Sequence, residues 1–132
     1  MRAPYHILVV EDIASWQKTF KRCLKDKDFE VFIAANYQDA FDLIRVHSFD
    51  LVILDVNLTG VTGNYDGLRI ANLLRTKENQ PKIIIVSGTG DPGRHLKSLN
   101  FEPSYLLKKQ DFDQYKFIEI VHELLYLERK DA

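Results

Sequence analysis

The sequence predicts an α/β fold in which a five-stranded parallel sheet is covered on both faces by helices. Three observations lead there. The runs His6-Ile7-Leu8-Val9-Val10, Leu51-Val52-Ile53-Leu54 and Ile83-Ile84-Ile85-Val86 are apolar without alternation, as suits strands buried on both sides. Between such runs lie segments whose apolar residues recur at three and four positions, the mark of amphipathic helices. Strand and helix then alternate along the chain, which implies right-handed βαβ crossovers.

The elements follow in order. The strand at His6–Val10 ends in acid, Glu11-Asp12, and a helix follows with the apolar stripe Ile13, Trp16, Phe20, Cys23 and Leu24. Phe29–Ala34 reads as a second strand. Asn36 is a suitable N-cap for a second helix, whose apolar side is Ala40, Phe41, Leu43, Ile44 and Phe49 and which ends near His47-Ser48. The third strand, Leu51–Leu54, leads into Asp55. A turn-rich loop with Gly60 and Gly63 follows, and a third helix opens near Asp66-Gly67, burying Leu68, Ile70, Ala71, Leu73 and Leu74 before Pro81. The fourth strand ends in Ser87-Gly88. Asp91-Pro92 reads as cap and first residue of a short basic fourth helix. Tyr105-Leu106-Leu107-Lys108 is the last strand. Asp111 is placed to cap a fifth helix with Phe112, Tyr115, Ile118, Val121, Leu124 and Leu125 on its apolar side.

The 132 residues suit one domain: residues 5–128 form the folded unit, and 129–132 a polar tail. The net charge of -1 gives no reason to expect nucleic-acid or membrane binding. The single cysteine, Cys23, cannot form an internal disulfide and fits a small buried hydrophobe in a reducing compartment. No apolar stretch approaches the ~20 residues of a membrane helix, and the start of the chain lacks the pattern of a signal peptide. The expected location is the cytoplasm.

Polar groups gather at the strand ends: Glu11-Asp12, Asp55, Ser87 and Lys108. In the flavodoxin-like strand order 2-1-3-4-5 the switch point falls between strands one and three, and ligands bind at that carboxyl edge. Asp12 and Glu11 then lie beside Asp55. Two like charges about 4 Å apart repel by roughly 4 kcal/mol at an effective dielectric near 20, so either one carboxyl is protonated or a cation sits among them. Asp12, Asp55, a backbone carbonyl and water suit Mg²⁺. Each residue also has a plainer use: Asp55 starting a turn, Ser87 capping one, lysines guarding an edge strand, a role that suits Lys109. The coincidence of all four at equivalent strand ends favours a phosphoryl-transfer site, with Asp55 attacking phosphorus while Mg²⁺ and Lys108 neutralise the equatorial oxygens and Ser87 hydrogen-bonds the transferred group.

With Glu11-Asp12, Asp55, Ser87-Gly88 and Tyr105-Leu106-Leu107-Lys108 in order, the chain resembles the CheY-like receiver domain of two-component response regulators over about residues 5–128. The resemblance implies that Asp55 accepts a phosphoryl group from a histidine kinase or phosphotransfer protein. It implies Mg²⁺ (or Mn²⁺) held by Asp12 and Asp55 directly, by Glu11 largely through water, and by the main-chain carbonyl of Asn57. Lys108 would pair with the phosphoryl group, Ser87 would move onto it, and Tyr105 would change rotamer to follow. The surface of the fourth helix, fifth strand and fifth helix would then recruit an effector protein or output domain, or a second copy in a phosphorylation-dependent homodimer. Such a chain is no metabolic enzyme; it phosphorylates and slowly dephosphorylates itself.

Three departures from the family pattern stand out. The loop after Asp55 is several residues longer than usual, with Thr59 where proline is common. Lys109 replaces the proline that usually follows the lysine, and Gly88 replaces alanine. Two other readings compete. A phosphatase of the haloacid dehalogenase type also uses an aspartyl nucleophile and Mg²⁺, but wants an Asp where Asn57 stands. A receiver-like interaction module would bind partners without phosphorylation.

Overall fold

The computed structural model describes residues 3–56, 66–88 and 102–130, excluding the side chains of 127–130. The strands are β1 (Tyr5–Val10), β2 (Phe29–Ala34), β3 (Leu51–Asp55), β4 (Lys82–Ser87) and β5 (Tyr105–Lys108). They form one sheet in the order β2-β1-β3-β4-β5, every pair parallel. The helices among the described residues are α1 (Ala14–Cys23), α2 (Tyr37–Val46), α3 (Asp66–Arg75) and α4 (Gln114–Lys130), with a 3-10 turn at Lys109–Asp111 before α4. The helix expected from Asp91-Pro92 and the loop 57–65, Asn57 included, lie outside the described residues, so α4 is the fifth helix of the sequence reading.

The unbroken apolar runs are explained by two cores. On one face Leu8, Val10, Val52, Leu54, Ile83 and Ile85 pack with Ala40 and Ile44 of α2 and Leu68, Ile70, Ala71 and Leu74 of α3. On the other, Ile7, Val9, Leu51, Ile53, Ile84 and Val86 pack with Phe20 of α1 and Phe117, Val121 and Leu125 of α4. Successive residues of a strand point to opposite faces, and here both faces need apolar groups, worth about 1.5–3 kcal/mol for each large side chain buried.

Local signals set the helix ends. Asn36 caps α2, its side chain accepting from the Asp39 N–H at 2.8 Å. The α4 cap is Asp113, not Asp111: its Oδ1 accepts from the N–H groups of Tyr115 and Lys116, while Asp111 is taken up by the 3-10 turn. That later start turns Tyr115 outward, 76% exposed, and brings Phe117 into the core. Ile13 is likewise half exposed, because it sits at the N-cap of α1 and outside the helical stripe. Cys23 is half-buried against the α1–α4 core. The chain stays helical through Lys130, into the tail expected from 129, where Glu, Arg and Lys are good helix formers.

Candidate functional site

The strands deliver the acids to one edge. Glu11 continues β1, its N–H donating to the Ala34 carbonyl at 3.0 Å, and so keeps the phase of Ile7 and Val9. Asp55 closes β3 in the phase of Leu51 and Ile53. Both therefore emerge on the α1–α4 face, at the switch point between β1 and β3. The carboxylates of Glu11, Asp12 and Asp55 each place an oxygen within 4.8 Å of the others. Glu11 and Asp55 are buried, and Asp12 is half-buried.

Glu11 is also tied to the start of α1. Its Oε2 accepts from the Ile13 N–H at 3.2 Å and its carbonyl from Gln17 Nε2 at 2.6 Å. Nothing in the sequence marks Gln17, since an amide on a helix carries no motif. Burial, and after it hydrogen bonding with Asp55, push the Glu11 carboxyl up to about 7, against the opposing pull of Lys109. The pocket thus holds a proton readily when no metal is present.

The ammonium that enters this pocket belongs to Lys109 and not to Lys108. Lys109 Nζ lies 2.7 Å from Glu11 Oε1 and 3.3 Å from Asp55 Oδ2, with its side chain 10% exposed. Lys108 is exposed at the end of β5. The reason is strand phase. Tyr105 and Leu107 lean on the α1–α4 core while Leu106 and Lys108 point away, and counting by two from Leu107 arrives at Lys109. The same count exchanges the expected roles: Lys108 is the solvated edge lysine and Lys109 the pocket cation. The stem of Lys109 passes the end of β4, where a Cβ added at Gly88 would stand 3.8 Å from its Cδ. That is ordinary contact, so glycine in place of alanine is a mild change here.

Ser87 is buried one residue beyond Val86, the register partner of Asp55, and is itself paired with Lys108. Tyr105 is half-buried at the β5 edge, level with Ile84. Gly67, the second residue of α3, is held against the backbone following the acid: a Cβ there would lie 2.3 Å from the Asp55 carbonyl oxygen and 2.5 Å from Val56 Cα. The helix can approach β3 this closely only without a side chain.

The residues fit a small hard cation. Three carboxylates supply oxygen donors, and Asp12 Oδ1 is buried with no hydrogen-bond partner, a costly state that a cation with its water would relieve. A doubly wound sheet carrying an acid triad and an ammonium at its switch point is the architecture of a signalling receiver. The response regulator receiver domain model matches residues 7–122, and the chain belongs to that family.

Among curated proteins it is similar to the cell cycle transcriptional regulator CtrA of Caulobacter vibrioides, 26% identical over 92 residues, covering 70% of this chain and 38% of that protein. It is also similar to the cell cycle response regulator CtrA of Brucella ovis, 25% identical over 119 residues, covering 90% and 49%. The chain thus spans at most about half the length of these relatives. In fold it resembles a CheY-like receiver domain protein from Methanospirillum hungatei, with TM-score 0.82, 22% identity and coverage of 98% and 100%. The signal receiver domain of a Luxo repressor protein from Vibrio parahaemolyticus gives 0.80, 20%, 97% and 95%. Among the described residues no helix is long and apolar enough to cross a membrane.

Proposed function

We propose that this receiver domain is a working phosphoacceptor: Asp55 takes a phosphoryl group from the histidine of a kinase or phosphotransfer protein, and the new charge changes which partner the domain binds. The observation that carries this reading is the convergence of Glu11, Asp12 and Asp55 with the Lys109 ammonium 3.3 Å from Asp55 Oδ2. An Asp55 carboxylate oxygen attacks phosphorus as the P–N bond to the donor histidine breaks, and the freed imidazole keeps the bonding pair. Asp12, Asp55 and Glu11 would hold Mg²⁺, which supplies positive charge to the phosphoryl oxygens. Lys109, already paired with Glu11 and Asp55, supplies the second positive charge, the role expected of Lys108. Its stem already ends at Asp55, so little reorganisation is needed as charge develops.

A phosphorylated Asp55 adds roughly -1.5 to -2 charge and three acceptor oxygens. Ser87, the residue after the register partner of Asp55 on β4, offers a hydroxyl to receive one of them. Its movement would free Tyr105 to repack at the β5 edge. An effector, output domain or second copy is recruited only through its differential affinity for that state. Lys108 and the exposed Leu106 belong to the β5 surface such a partner would meet.

Incubation with acetyl phosphate and Mg²⁺ should add one phosphoryl mass, and Asp55→Asn should gain none. Equal gain in both chains refutes the proposal. Sustained multiple-turnover release of phosphate from an aryl phosphate would instead revive the phosphatase reading. Equal partner affinity with and without beryllofluoride would support an interaction module that ignores phosphorylation.

A further inference from the structure

The chain's one tryptophan stands over the ammonium that closes the acidic pocket. Lys109 Nζ lies 5.2 Å from the centre of the Trp16 ring, inside the ~6 Å over which the negative face of an indole attracts a cation. The ring is braced. Phe112 meets it edge-on at 5.3 Å and Phe20 lies at 5.6 Å. Phe112 in turn closes the 3-10 turn that Lys109 opens, its N–H donating to the Lys109 carbonyl at 3.1 Å. Indole, turn and lysine therefore form one packed unit between α1 and β5.

A lysine stem has much rotamer freedom, and its point charge carries no preferred geometry of its own. Glu11 and Asp55 attract the ammonium, but both carboxylates also belong to the set that would hold Mg²⁺. Trp16 is half-buried on α1 and offers no oxygen to a metal ion. It attracts the ammonium whether or not those carboxylates are engaged elsewhere. The sequence alone suggests only a core aromatic in the α1 stripe.

We propose that Trp16 is a positioning residue for the phosphoryl-pairing lysine: its indole face keeps the Lys109 ammonium at the mouth of the acid pocket when the carboxylates turn to a metal ion. This rests on the reading of Asp55 as phosphoacceptor. Trp16 touches no reacting atom; it acts through Lys109.

The test uses Trp16→Leu, which keeps apolar bulk without a π face, and Trp16→Phe, which keeps a weaker one. Two readouts are taken on the full chain. In the free protein, the ε-methylene protons of Lys109, assigned by difference against Lys109→Arg, should resonate upfield through the indole ring current. The shift should vanish in Trp16→Leu and persist in part in Trp16→Phe. With acetyl phosphate and Mg²⁺, labelling of Asp55 should slow by about 3- to 10-fold in Trp16→Leu, the range expected for losing a partly buried cation–π contact, and by less in Trp16→Phe. A merely structural role would not make the rate follow the π face when both variants remain folded. Ordinary Lys109 shifts in the wild type, or labelling of Trp16→Leu at the wild-type rate, overturns the proposal. A wild-type chain that takes up no phosphoryl group refutes the phosphoacceptor reading itself. The Lys109 shift needs no phosphoryl donor, so the two failures are told apart.

Discussion

Replacing each of the two adjacent lysines by methionine separates strand phase from motif position. Lys109→Met removes a charge 2.7 Å from Glu11 and 3.3 Å from Asp55. Each attraction is of the order of 4 kcal/mol at an effective dielectric near 20, yet the loss of stability is much smaller near neutrality. Glu11 already titrates at about 7 in the metal-free pocket, so protonating it relieves the repulsion there for under about 1 kcal/mol. Above that value each pH unit adds about 1.4 kcal/mol. The deficit against wild type should therefore be slight at pH 6 to 7 and reach about 3 kcal/mol two units higher. The phosphorylation rate has no such relief. Losing one preorganised charge at the reacting group costs about 100-fold or more. Lys108→Met, a surface change, should stay within ~0.5 kcal/mol of wild type at every pH and label at the wild-type rate. Denaturant melts across pH without metal give the first quantity, and the time course of phosphoryl mass gain the second. If Lys108→Met abolishes labelling while Lys109→Met leaves it intact, the strand-phase argument is wrong.

Three further outcomes follow from the same structure. In metal-free wild type the raised Glu11 carboxyl favours the folded state while protonated, so stability from this group is full below about pH 4.5 and is lost as pH rises through about 7; the loss is about 3 kcal/mol, and melts of Glu11→Gln should show it flattened. Gly67→Ala forces α3 off the Asp55–Val56 backbone and should cost about 2 kcal/mol despite the better helix propensity of alanine, with slowed labelling of Asp55; a neutral or stabilising result in a urea melt would show that α3 does not sit that close. Asn36→Ala removes the side-chain cap of α2 at a cost of about 1 kcal/mol; that cap bonds Asp39 and none of the pocket's acids, so the labelling rate should not change.

Much of the site was legible because its residues lie where strands stop. Glu11, Asp12, Asp55 and Ser87 each follow a long apolar run, and a parallel sheet brings such positions to one edge whatever the side-chain details. Helical spacing makes Trp16 one apolar residue of the α1 stripe and does not tell a core ring from one that faces a cation. Tyr115 and Asp111 depart from expectation together, since choosing between Asp111 and Asp113 as the cap rotates the whole apolar stripe of the last helix.

By itself the sequence determined the alternation of strands and helices, and with it a parallel sheet whose carboxyl edge collects the acids, because hydrophobic period and chain handedness are local properties that repeat along the chain; the order 2-1-3-4-5 came with the flavodoxin-like pattern and not from those local properties. Only the tertiary structure decided between Lys108 and Lys109. Two identical side chains on neighbouring residues differ in nothing but the direction their strand assigns them. That direction depends on which face of β5 rests on the α1–α4 core.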